Sequence, residues 1–197
     1  SRQHGASLTR NEDRILSTRA QIIARHDKVK VAPLRTVAVV PVRGSSKGLG
    51  APALELLAGK ALIEWTLDPA LAATHVDAVI VTTPDEEIID HVRNRYGHRV
   101  HAVLRSAELA RPNTHIEDTV FDALASWEND KRHAEAVMLL YVEGPFRQPD
   151  HLDTAVEVMS LFDTDVVVPV RPETDIFHRH NGDGLAPLVN TNALRLE

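Results

Sequence analysis

The feature that most constrains this chain is Thr36-Val-Ala-Val-Val-Pro-Val42, an apolar run that passes directly into Arg43-Gly44-Ser45-Ser46-Lys47-Gly48. An apolar run of strand length without alternation suits a strand buried on both faces, as the inner strands of a parallel sheet are. Such sheets collect ligands at the carboxyl ends of their strands. The loop that follows combines small side chains, free backbone N–H groups and two cations, which is the chemistry of a phosphate cradle. It matches neither common phosphate motif: G-x-G-x-x-G is absent, and Lys47 is followed by Gly48 rather than Ser or Thr.

The remainder of the chain repeats a strand–helix alternation. Strands are expected at 36–42, 77–83, 100–104, 135–141, 165–170 and 188–196, with helices at about 60–73, 84–96, 115–129 and 149–162. This order implies βαβ units and a parallel sheet covered on both faces. Thr83-Pro84-Asp85-Glu86 reads as a helix start with Thr83 as N-cap, and Gly97 as the stop. Gln148-Pro149-Asp150 opens a second helix, and Pro69 is expected to kink or restart the helix that contains it. Residues 1–35 form a separate basic arm or linker, with a capping box at Thr9 and Glu12 and a helix from about 10 to 26. The arm packs on its own domain or a second subunit, or it is the tail of an upstream domain.

Charge is unevenly distributed. The net charge of −6 argues against general nucleic-acid binding. Eight of the 22 Lys and Arg residues lie in residues 1–35, so the body is acidic and Arg43 and Lys47 are local features of it. Cysteine is absent, which removes disulfides and Cys-based zinc sites. No run of eighteen apolar residues occurs and residues 1–14 are polar, so a cytoplasmic protein without a membrane partner is the expectation.

Five ordered segments give the chain a resemblance. Val39-Val40-Pro41-Val42-Arg43-Gly44-Ser45-Ser46-Lys47-Gly48 resembles the first motif, A-R-x-x-S-K-G, of the cytidylyltransferases that activate acidic sugars, the acylneuraminate and related CMP-sugar synthetases. Leu56 to Thr66 is similar to L-x-G-K-P-L-I-x-W-T, Ile80 to Ile88 to V-S-T-D-D-E-E-I, and Leu104 to Ala110 to L-R-P-A-E-L-A. Leu139 to Arg147 stands where the family has L-L-Q-P-T-S-P-L-R. The resemblance covers residues 36 to about 196. It implies a three-layer α/β/α, Rossmann-like fold of the nucleotide-diphospho-sugar transferase type, over residues 36–197. It also implies transfer of CMP from CTP to a sialic or related nonulosonic acid, with loss of pyrophosphate, Mg²⁺ on the phosphates and a homodimer. The residues that match carry over as triphosphate-loop residues (Arg43, Gly44, Ser45, Ser46, Lys47, Gly48), with Arg43 and Lys47 as the catalytic cations. Arg105 carries over as a nucleotide ligand, and Tyr141, Glu143 and Arg147 fall at the acceptor position.

The departures fall in the site. The family continues S-K-G with I-P-x-K-N, where this chain has Leu49-Gly50-Ala51-Pro52-Ala53, so a Lys and an Asn are replaced by residues whose side chains donate no hydrogen bond. Pro112-Asn113-Thr114-His115-Ile116 replaces D-T-x-S-S, and Tyr141 and Glu143 replace the Gln and Thr that face the sugar. Glu143 places like charge beside an acidic sugar. The metal-binding D-x-D of the family falls beyond Glu197, so no metal ligand is identified: either the chain continues or it lacks them. Three functions follow from the resemblance: a cytidylyltransferase, a non-catalytic nucleotide- or sugar-binding homologue, and a nucleotidyltransferase of altered specificity.

Other candidates have plainer accounts. His178-x-His180 and His98-x-x-His101 lack a partner at a metal spacing and are read as solvent-facing. Glu86-Glu87 are helix-start charges, Asp163-Thr-Asp165 a helix-to-strand turn, Asn181-Gly-Asp-Gly184 a tight turn, and Trp65 and Trp127 core or interface residues.

Overall fold

The computed structural model describes residues 34–44, 51–111, 113–129, 131–170, 178–180 and 182–187. The expected N-terminal helix, Ser45 to Gly48 and the expected strand at 188–196 lie outside the described residues. Two compact units divide the chain, Ser1–Val167 and Val168–Glu197.

The first unit is built on a four-stranded sheet: β1 (Thr36–Pro41), β4 (Ala78–Thr83), β5 (His101–Leu104) and β6 (Ala136–Leu139), in the order β5-β4-β1-β6 and parallel throughout. All six residues of β1 are buried, which explains its unbroken apolar sequence. Between β1 and β4 run a short hairpin, β2 (Leu56–Leu57) with β3 (Lys60–Ala61), and helix α1 (Glu64–Ala72). Helices α2 (Glu86–Tyr96), α3 (Ile116–Trp127) and α4 (Pro149–Phe162) complete the unit.

Strand periodicity sorts β1 between two cores. Ala38, Val40 and Val42 pack with Leu67 and Ala70 of α1, Ile88 and Val92 of α2 and Leu152 of α4. Val37 and Val39 point the other way and pack with Ala123, Leu124 and Trp127 of α3. Three layers result, as expected. Each fully buried aliphatic side chain stabilises the fold by about 1.5–3 kcal/mol. No helix among the described residues is long and apolar enough to cross a membrane.

Four local expectations are corrected. The first concerns the helix at 60–73, which begins at Glu64, because Ala58 (φ 53°) and Gly59 (φ 80°) make a two-residue hairpin turn and Lys60 and Ala61 pair with Leu57 and Leu56. Pro69 neither kinks nor restarts α1: the helix stays continuous, Ala73 N–H still reaches the Pro69 carbonyl, and Leu67 and Ala70 hold it in the core. The N-cap of α2 is Asp85, not Thr83: Thr83 remains paired in β4, and a residue preceding proline is held extended. Asp85 accepts from Glu87 N–H at 3.0 Å. Residues 165–170 are no strand: Val166, Val168 and Val170 are exposed, and no ladder partner stands beside them among the described residues.

Other expectations hold. Gly97 ends α2 with φ 57°, and Gln148 and Pro149 open α4. Glu86 and Glu87 sit in the first turn of α2. Asp163 closes α4 in the left-handed region, with φ 49°. In the second unit, His178–His180 (β7) and Leu185–Pro187 (β8) form an antiparallel hairpin around the expected turn, and both histidines are exposed.

Candidate functional site

The chain leaves β1 for β4 and β5 on one side, then returns to place β6 on the other side of β1. The order therefore reverses between β1 and β6, and the carboxyl ends of these two strands bound the crevice position at which an open α/β sheet usually holds its ligand. Two stretches flank it: Val42-Arg43-Gly44 after β1 and Leu140 to Gln148 after β6.

On the β1 side, Val42 is buried and its N–H extends the ladder to the Thr82 carbonyl at 2.9 Å. Arg43 turns out to solvent. Gly44 lies against the start of the α2 segment: a Cβ there would stand 2.9 Å from Pro84 Cγ, so this position accepts no side chain without movement. The remainder of the expected triphosphate loop, Ser45, Ser46, Lys47 and Gly48, lies outside the described residues. Past the loop, Pro52 opens a one-turn 3₁₀ helix and Ala53 is buried, its carbonyl accepting from Ile63 N–H at 2.9 Å. Position 53 thus faces the core.

On the β6 side, Leu140 and Val142 anchor the loop in the core while Tyr141 and Glu143 are exposed. The carbonyl of Tyr141 accepts from Gly144 N–H at 3.3 Å and from Arg147 Nη2 at 2.8 Å. Arg147 Nη1 donates to Thr66 Oγ1 of α1 at 2.9 Å. Burial draws the Arg147 guanidinium below its ordinary value, and the Glu143 carboxylate opposes this. Trp65 is half-buried beside this loop, its indole N–H donating to the Leu57 carbonyl and its ring meeting Phe146 edge-on at 6.0 Å.

Arg105 stands at the end of β5, one strand beyond β4, and is only 8% exposed. Its Nη2 crosses to the Val42 carbonyl at 3.1 Å, and its Nε is buried without a partner among the described residues. Burial lowers its pKa and Asp122 of α3 opposes the shift. The structure therefore brings Arg43, Gly44, Arg105, Tyr141, Glu143 and Arg147 to one sheet edge. Thr66 and Pro84, which hold this edge in shape, were not legible in the sequence. Their partners are 81 and 40 residues away, and no local motif marks either.

A separate cleft of about 550 Å³ lies between the β2–β3 hairpin, α1 and α2. Its charges answer one another. Glu64 accepts from His91 Nε2 at 3.0 Å and lies 3.6 Å from Arg95 Nε, while Asp68 pairs with Lys60 at 2.6 Å and accepts from Tyr96 at 2.8 Å. It is a structural tie. Among the described residues no three His, Asp or Glu side chains converge as a metal site. The described residues do not make up the ligand set for the Mg²⁺ implied by the resemblance.

The chain belongs to the cytidylyltransferase family, whose profile matches residues 37–178. It is 35% identical over 134 residues to the CMP-N,N'-diacetyllegionaminic acid synthase of Legionella pneumophila, covering 68% of this chain and 57% of that protein. It is 29% identical over 136 residues to the N-acylneuraminate cytidylyltransferase of Streptococcus agalactiae, covering 68% of this chain and 32% of that one. This chain thus spans roughly a third to a little over half the length of these relatives. Among solved structures, the 4-diphosphocytidyl-2C-methyl-D-erythritol synthase of Anaerococcus prevotii superposes with a TM-score of 0.59 at 19% identity, covering 82% of this chain and 66% of that one. That likeness concerns the fold.

Proposed function

We propose that this chain is the nucleotide-binding core of an enzyme that transfers CMP from CTP to an acidic sugar of the sialic or nonulosonic class, with release of pyrophosphate. The observation that carries the reading is the reversal of strand order between β1 and β6, with Arg43 at the carboxyl end of β1 at the start of the segment that ends in Lys47 and Gly48. In this reaction a sugar oxygen forms a bond to the α-phosphorus while the bond from that phosphorus to the pyrophosphate oxygen breaks. Negative charge grows on the leaving group, so fixed cations and a held geometry supply most of the acceleration. Arg43 offers a guanidinium fork and Lys47 a point charge for those oxygens. Tyr141 and Glu143 stand on the opposite side, where the acceptor enters. Mg²⁺ joins the reading as an ion brought on the triphosphate.

A second reading has its own support. Ala53 is buried with its carbonyl engaged, so the position at which the resembled motif has Asn offers no donor to a ligand here. A protein that binds nucleotide without turning it over is consistent with that. The test is pyrophosphate release from a panel of nucleoside triphosphates with sialic and other acidic sugars plus magnesium, alongside thermal shift. CTP-dependent release supports transfer. Stabilisation by nucleotide without release supports the binding reading, because a ligand of the native state raises its stability. Neither release nor a shift overturns both.

A further inference from the structure

Two buried polar atoms at the carboxyl end of the sheet have no hydrogen-bond partner among the described residues: Oγ1 of Thr82 in β4, and Nε of Arg105, the residue that follows β5. Thr82 is wholly buried and Arg105 nine-tenths buried. The strand register makes them neighbours. Val103 stands opposite Thr82, and the ladder continues past β5, with Arg105 N–H donating to the Thr83 carbonyl at 2.8 Å. Alternate residues of a strand share a face. Ile80 and Val103 both pack with residues of α3, so Thr82 and Arg105 project to that same face, where the Asp122 carboxylate of α3 acts on the guanidinium. From there Arg105 crosses β4 to the Val42 carbonyl at 3.1 Å, and Val42 N–H is itself bonded to the Thr82 carbonyl. The arginine side chain therefore passes over Thr82. We propose that Thr82 is a positioning residue for Arg105: its hydroxyl accepts from Nε–H when nucleotide engages the guanidinium, and so fixes the plane in which the other N–H groups meet the nucleotide. The proposal rests on the reading of the crevice as a nucleotide site, in which the resemblance carries Arg105 over as a ligand.

A buried hydroxyl without a partner has lost its water and gained nothing in exchange, so its presence in a fold calls for a reason. The other threonines around the sheet differ from Thr82 in this respect. Thr36 donates to the Leu34 carbonyl, Thr66 accepts from Arg147, and Thr83 accepts from the Asp85 N–H. Valine would fill position 82 with the same shape and no orphaned hydroxyl, as it does at Val79 and Val81 of the same strand. The two orphans are also complementary, since Nε–H can only donate and a hydroxyl has two lone pairs to offer. With Nη2 held on the Val42 carbonyl, a second bond at Nε sets the orientation of a planar guanidinium, which one bond leaves free to turn. Closing that bond on binding satisfies both buried atoms at once, in a dry environment where a hydrogen bond is strong.

The test compares Thr82→Val, which keeps the shape and removes the hydroxyl, with Thr82→Ser, which keeps the hydroxyl, both in the full chain. Thr82→Val should leave the thermal midpoint unchanged or raised, since the free chain loses no bond, and should weaken CTP binding about tenfold. Thr82→Ser should bind CTP within about twofold of the wild-type chain. In an Arg105→Lys background, which has no Nε–H, Thr82→Val should weaken CTP no further. A lowered thermal midpoint in Thr82→Val reveals a bond already made in the free chain and overturns the proposal. Unchanged CTP affinity overturns it as well, and so does equal weakening with and without Arg105. A second readout needs no ligand: the Arg105 Nε–H cross-peak in the NMR spectrum of nitrogen-labelled chain, assigned by its loss in Arg105→Lys. Thr82→Val should move this cross-peak more than that of any other arginine, and an unmoved peak overturns the pairing. If the wild-type chain binds no nucleoside triphosphate, the nucleotide reading of the crevice falls, and the cross-peak alone decides whether Thr82 and Arg105 are paired.

Discussion

The two sides of the crevice are built differently. The β1 side grows from a strand buried along its whole length, with neighbours on both edges, a ladder bond from Val42 to Thr82 and Gly44 against Pro84. The β6 side grows from the last strand of the sheet among the described residues, in which Val137 and Leu139 remain partly exposed, and hangs on Arg147 and its two acceptors. A buried strand with paired edges opens only on global unfolding, whereas an edge strand and its loop open at lower cost. In the proposed reaction the rigid side therefore suits the part of the substrate that stays constant, the triphosphate. The looser side suits an acceptor whose identity differs between relatives.

That contrast is broken most directly at the cations. Arg43→Ala and Lys47→Ala should each lower the rate of pyrophosphate release by about a hundred- to a thousandfold, the usual loss when one stabilising donor is removed. Arg43 is exposed, so its replacement should leave the thermal midpoint almost unchanged. Rates that survive in both variants would remove the phosphate assignment from the β1 side.

The next effect is on stability. Gly44→Ala forces a methyl group to within 2.9 Å of Pro84 Cγ, and relieving it must shift the Pro84 ring or the Gly44 backbone, at a cost of about 1–3 kcal/mol. Glu143→Ala, on the exposed loop opposite, should change stability by less than about 0.5 kcal/mol. Denaturant midpoints measure both. Equal losses would show that the two sides are equally rigid. Glu143 is better tested by function: Glu143→Gln should lower KM for an acidic acceptor by up to about fivefold, the scale of one exposed charge pair, with KM for CTP unchanged. A rise in KM for the acidic acceptor would make Glu143 an acceptor ligand.

How far the sequence carried follows the same division. Strands β1 and β4 were legible because buried parallel strands are written as apolar runs, β5 and β6 as shorter apolar stretches in the strand–helix alternation, and α4 because Gln148-Pro149 marks a start that tertiary packing does not alter. The β2–β3 hairpin was not, since Leu56 to Ala61 reads equally as the entry to a helix and its turn uses Ala58 at positive φ. Val166, Val168 and Val170 carry the same β-prone pattern as the strands, but a pattern does not supply a ladder partner. In the site, the types and order of residues were visible, while their partners were not. Arg105 and its carbonyl are 63 residues apart, and Arg147 and Thr66 are 81 apart. A local motif names a cation; only the fold says what it touches.

The smallest expected effect tests the support of the β6 side, helix α1, which carries Thr66. Asp68 of the same helix bonds Lys60 of the hairpin and Tyr96 of α2. Burial alone would raise the Asp68 carboxyl, but the hydrogen bonds from Lys60 and Tyr96 and the charges of Lys60 and Arg95 outweigh it and hold it below its ordinary 3.8. For Tyr96, burial and then the Asp68 carboxylate push the phenol above its ordinary 10.0. The signs differ at the two ends of the scale. A depressed carboxyl contributes stability that is complete above its unfolded value and is lost as pH falls below about 3.8. A raised phenol contributes stability that is complete below 10.0 and is lost as pH rises beyond it. Against Asp68→Asn, the wild-type chain should therefore hold a constant advantage between about pH 5 and 9 that shrinks on both sides, and Tyr96→Phe should abolish the alkaline limb alone. Asp68 and Lys60 are partly solvated, so the plateau should stay below about 1 kcal/mol and shrink further in high salt. Thermal midpoints across pH measure it. An advantage that grows as the solution is made acid would reverse the assigned sign and detach α1 from the hairpin as the base of the β6 side.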